Sequence, residues 1–168
     1  MPVFLAAVNF IVLLMLGISA YLGFGQLDTN GVFNHMYWGV ATSFLGLFGH
    51  SFTMFFFVGT GKAIKEACRD HKPAWPFIGR SNGYKSLIAG RTMIASTMLI
   101  VQPVLGAAVY SGRLAAGWHQ FGFWVTLLVH GWVLGTELKY LGLNNVLLDD
   151  VAKWKEHGTL PESFGHDA

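Results

Sequence analysis

Four long apolar runs, separated by short polar stretches, dominate the chain: Val3 to Phe24, Met36 to Gly59, Thr92 to Tyr110 and Ala115 to Thr136. Each can cross a hydrocarbon core about 30 Å thick, which takes roughly 20 residues at 1.5 Å rise. Such a core offers backbone groups no water, so spans of this kind are helices. The pattern predicts an all-α integral membrane protein, one domain folded as a four-helix up-down-up-down bundle.

The polar stretches set the connections. "GFGQLDTNG" supplies turn chemistry after the first run, and helix two should start near Asn34 and run on through "GKAIKEACRD". "HKPAWPFIGRSNG" holds two prolines and two glycines, which predict a break in the helix and make residues 60–91 the principal internal loop. Trp75 and Phe77 in that loop are expected at the membrane interface. Pro103 should bend helix three, and the "GAA" that follows allows a neighbour to approach closely. Helix four should continue through "ELKYLGLNNVLLDDVAKW" into a tail over 137–168. There, Leu138, Leu141, Val146 and Leu147 would lie on the membrane surface or against a partner subunit.

Composition agrees with this pattern. Of the 168 residues 53% are hydrophobic and 12% charged, with a mean hydropathy of +0.47, outside the usual soluble range. Nothing basic precedes the first run, which is longer than a signal-peptide core and reads as a retained helix. Basic residues sort by side. Lys62, Lys65, Arg69, Lys72, Arg80, Lys85 and Arg91 lie between runs two and three, and Lys139, Lys153 and Lys155 follow run four, which leaves Arg113 alone on the opposite side. The positive-inside rule then places both termini in the cytoplasm, and the expected location is a bacterial inner membrane. Because topology explains these charges, the net charge of +2 is no sign of nucleic-acid binding. The single Cys68 falls in a polar stretch and can form neither an intramolecular disulfide nor a thiolate cluster.

The candidate chemistry lies in four histidines. His35 and His50 are fifteen residues apart in helix two, and His119 and His130 eleven apart in helix four. At 100° per residue these spacings fall roughly 60° and 20° beyond whole turns, so each pair shares a helix face. The intervening face of helix two carries Gly39, Thr42, Ser43, Gly46 and Gly49. That of helix four carries Gly122 and Thr126, with Gly131 beside the deeper histidine. Small residues in membrane helices admit a neighbouring helix or make room for a flat group.

This arrangement resembles the membrane-embedded b-type cytochromes, four-helix bundles that hold haem between paired histidines with glycines against the porphyrin. The resemblance implies haem b, one or two per chain, with His35 and His119 as axial ligands at the outer level and His50 and His130 at the inner. It implies Gly39, Gly46, Gly49 and Gly122 beside the porphyrins, and Arg113 and Arg91 near the propionates at the outer and inner surfaces. Neutral imidazole suits such a site because it binds iron without bringing charge into an apolar core. One misfit stands against it: the histidines are about 22 Å apart along helix two and about 16 Å along helix four, so both pairs meet only if tilt absorbs one turn. Otherwise the His50–His130 site alone survives.

The implied function is an electron-transfer subunit of the lipid bilayer, passing electrons between a quinone pool and a redox partner subunit, in a homo- or hetero-oligomer. Quinone is a further candidate ligand. Other readings remain: a non-haem metal-binding or transport protein using the same histidines, or a structural or assembly subunit in which they tie helices together. His35 and His119 can also be read as interface residues wetted by headgroups. Glu137 reads first as solvated at the end of helix four, and second as a proton-handling group at a quinone site. His71, His157 and His166 read as surface residues. The "GTGK" at Gly59 to Lys62 lacks the context of a phosphate loop, and with Cys68 isolated no nucleophile arrangement presents itself.

Overall fold

The computed structural model describes residues 2–24 and 29–158. It is all-helical: α1 (Pro2–Phe24), α2 (Thr29–Cys68), a short 3-10 turn (Lys72–Ala74), α3 (Trp75–Tyr110) and α4 (Ala116–His157). All four α-helices are long and apolar enough to cross a membrane. Residues 25–28, within the stretch expected to supply turn chemistry, and His166 in the segment 159–168 lie outside the described residues.

Each helix packs on the next, and α1 closes the ring against α4, while α2 and α4 touch sparingly across the centre. A helix of 23 residues is about 34 Å long, whereas those of 40, 36 and 42 residues are roughly 60, 54 and 63 Å. Helices α2, α3 and α4 therefore outrun α1 and build a three-helix extension beyond it.

That extension leaves little of the loop expected within residues 60–91: α2 runs on into "GKAIKEACRD" as expected, but the break expected at "HKPAWPFIGRSNG" is largely helix. Only the stretch around the 3-10 turn separates α2 from α3. Pro76 sits in the first turn of α3, where a missing N–H costs nothing. Gly79 and Gly83 are exposed, and their cost of about 1 kcal/mol each is outweighed by packing. Phe77, expected at the membrane interface, is instead fully buried with Ile64, Cys68, Ala74, Leu147, Val151 and Trp154, while Trp75 is exposed. Cys68 thus ends α2 inside a core rather than lying in a polar loop, which removes it from lipidation or surface redox chemistry. The far part of α4 is helical as expected, but its apolar side faces this chain. Leu141 packs with Leu5, Phe57 and Ile88, whereas Leu138 and Val146 remain exposed. Helix α2 begins at Thr29 rather than near Asn34, and α3 runs unbroken through Pro103.

Trp154→Ala should cost about 3–5 kcal/mol, as removal of a buried aromatic does. In chemical unfolding followed by circular dichroism it should loosen the extension before the apolar spans lose helicity.

Candidate functional site

Both histidine pairs meet. The rings of His35 and His119 have centroids 5.8 Å apart at 76°, and those of His50 and His130 are 5.1 Å apart at 63°. The first pair lies near the α1–α2 and α3–α4 connections and is called the turn-side pair below. The second is the mid-bundle pair, and both its rings are buried.

The mid-bundle pair belongs to a buried polar cluster. His50 Nδ1 lies 2.8 Å from Glu137 Oε1, and Asn9 Nδ2 donates to Glu137 Oε2, also at 2.8 Å. His130 Nε2 makes a long 3.5 Å contact to the Asn9 carbonyl, too long to hold the ring firmly. Three atoms of the cluster have no partner among the described residues: His50 Nε2, His130 Nδ1 and Asn9 Oδ1. Orphaned buried nitrogens are uncommon and call for an explanation. Here two ring nitrogens on facing helices are left free together.

Glu137 is therefore not solvated at a helix end. It is fully buried, because α4 continues for five more turns and because seven residues, two helical turns, bring it back to the face of His130. The same face carries Thr126, Val133, Leu141, Asn144 and Leu147, all buried. Asn144 donates to Thr60 Oγ1 at 3.1 Å.

At the turn side, His35 Nδ1 lies 2.9 Å from the Ser19 carbonyl, which can only accept. The ring N–H is then on Nδ1, and Nε2 keeps its lone pair. His119 Nδ1 has no partner among the described residues. Two glycines seat these rings: a Cβ on Gly23 would come within 2.7 Å of His35 Cε1, and one on Gly106 within 3.3 Å of His119 Cε1.

The glycines expected against a cofactor have other neighbours. A Cβ on Gly46 would meet Leu99 Cδ1 at 2.5 Å, on Gly49 Asn9 Oδ1 at 2.6 Å, and on Gly122 Gln102 Nε2 at 2.7 Å, while Gly39 looks onto Ser19 Oγ at 3.5 Å. Nothing lies within 4 Å of a Cβ on Gly131. The hydroxyls of Thr42, Ser43 and Thr126 bond back to carbonyls of their own helices, and Thr126 also accepts from Gln102. Arg91 donates to Thr136 at 2.7 Å and lies 4.8 Å over the Trp132 ring, and Arg113 is exposed in the α3–α4 turn.

Asn9, Ser19, Gly23 and Gln102 were not singled out by the sequence pattern, and Gly106 entered it only as the start of the "GAA" expected to admit a neighbour. Asn9 and Gln102 carried a usable signal, each being a lone amide in an apolar span, where polar side chains are expensive and mark function or a specific partner. Among the described residues no group of three or more His, Cys, Asp or Glu side chains is placed to hold a metal ion. Comparisons with protein-family models, with curated proteins and with solved structures find no match.

A Cβ at Gly49 would displace the Asn9 side chain, so Gly49→Ala should destabilise the protein by about 1–3 kcal/mol. Gly59→Ala, with nothing within 4 Å, should be close to neutral. Paired melting curves in one detergent test the contrast.

Proposed function

We propose that this chain is a haem b-binding membrane subunit that carries electrons, in which the imidazole pairs of α2 and α4 would hold the haem. The observation that supports it is the pairing itself. Two histidine pairs face each other across the bundle at separate levels, with ring nitrogens left unpartnered. Two imidazoles bound to one metal at about 2.0–2.1 Å each place their ring centres roughly 6 Å apart. The turn-side separation of 5.8 Å lies near that value, and the mid-bundle rings, at 5.1 Å, would part by about 1 Å to admit the metal.

The donor set suits haem better than a bare ion. A porphyrin supplies four of the six ligands, so two imidazoles suffice, whereas a lone transition metal would need further protein donors. The atoms over Gly46 and Gly122 are the ends of Leu99 and Gln102, flexible side chains that can turn aside for a flat group. His35 and His119 would hold one haem and His50 and His130 another, and the haem would store one electron at each site. The chain's own contribution is to orient these rings. Ser19 holds His35 by Nδ1, Glu137 holds His50 by Nδ1, and the rings of His35 and His119 rest on Gly23 and Gly106. Such outer partners fix the tautomer and aim the ligating nitrogen. Arg91 and Arg113 are the cationic groups proposed for the propionates.

In this reading the helices alternate in direction. The basic α2–α4 extension and both termini face the cytoplasm of a bacterial inner membrane, and the turn-side pair lies toward the outer face. A quinone pool and a redox partner subunit would supply and receive the electrons.

The reduced-minus-oxidised spectrum of the purified protein, with a pyridine haemochrome assay, should show two b-type haems per chain. His35→Ala and His50→Ala should each remove one. Retention of the His50-dependent haem alone would make the turn-side pair interfacial residues. No haem in the wild type would end the reading, and bound metal without a porphyrin spectrum would favour a metal site.

A further inference from the structure

The two imidazole pairs differ in what stands behind them. At the turn side, His35 leans on a neutral backbone carbonyl. At mid-bundle, His50 leans on a buried carboxylate whose second oxygen accepts from Asn9. With the ring proton on His50 Nδ1, both Glu137 oxygens face donors, a pattern that suits a carboxylate acting only as acceptor. A buried carboxylate is costly unless a positive charge answers it. Among the described residues the one basic side chain within reach of Glu137 is His50, whose ring is neutral when Nε2 is free to bind, and no lysine or arginine reaches it. A ligand that places positive charge on the far side of His50 would meet that need.

Resting on the haem reading above, we infer that Glu137 is a positioning residue that holds His50 with Nε2 free and makes the mid-bundle haem the more reducing of the two. A carboxylate drawing on Nδ1–H makes the opposite ring nitrogen a stronger donor, and its negative charge favours the oxidised, more positive iron. The carbonyl behind His35 exerts the same pull without a net charge, so the turn-side site keeps the higher potential. Asn9 moderates the effect, because its N–H on Oε2 draws electron density away from the carboxylate. Gly49 belongs to the same device: its missing side chain is what lets Asn9 reach that position.

The test is a dithionite titration, with mediators, of the haem-loaded full-length protein, followed by absorption and electron paramagnetic resonance. Wild type, Glu137→Gln and Asn9→Ala are compared. The haem missing from His50→Ala identifies the mid-bundle component, and His35→Ala assigns it by difference where His50→Ala does not fold. In the wild type this component should be the later one to be reduced. Glu137→Gln, which keeps an acceptor but removes the charge, should raise its potential. Asn9→Ala should lower it, and the turn-side component should stay in place in both.

The opposite signs separate this role from general damage, since water entering a loosened core would move both variants the same way. Shifts of one sign in both variants, equal shifts at the two haems, or no shift would overturn the inference while leaving haem binding intact. A wild type without b-type bands would remove the haem reading and this inference with it.

Discussion

Inside a bilayer a polar group must find its partner within its own protein, and Glu137 is where that constraint bears hardest on this bundle. Its carboxylate is fully buried and shared between His50 on α2 and Asn9 on α1. Three helices are thus tied through one side chain of α4. Gly49 lets Asn9 approach, and the spacing of seven residues from His130 to Glu137 sets both groups on one face of α4. Removing one partner would leave the others buried and unsatisfied, a larger penalty than the net worth of any single bond.

A similar economy runs through the rest of the interior. Gln102 serves Thr126, Asn144 serves Thr60, and Arg91 rests its guanidinium on Trp132 while donating to Thr136. Among the described residues the unpartnered buried side-chain atoms are three imidazole nitrogens, on His50, His130 and His119, and the amide oxygens of Asn9 and Asn144.

The four apolar spans were legible because hydrophobic length alone decides them, and so was the pairing of helices two and four, because the histidine spacings follow helical geometry. The continuation of α3 back to Trp75 was not. Proline and glycine signal a break, and only the core of Phe77, Ile64 and Trp154 shows why the helix persists. Glu137 was misplaced for a related reason. A hydropathy window ends a span at the first charge, yet the buried stripe of α4 continues through Glu137 to Trp154. The seats of the turn-side rings, Gly23 and Gly106, depend on contacts between helices that no single-helix pattern contains.

The two histidine levels also bear on how this chain can change over time. Each level needs residues of α2 and α4 to face inward together, and one residue inserted between His35 and His50 would rotate one of them by about 100° relative to the other. A deletion would do the same in the opposite sense. Side chains on the lipid face can be exchanged freely among apolar types, since hydrocarbon asks little of them. The segments 35–50 and 119–130 behave instead as rulers, open to substitution at most positions but closed to any change in length.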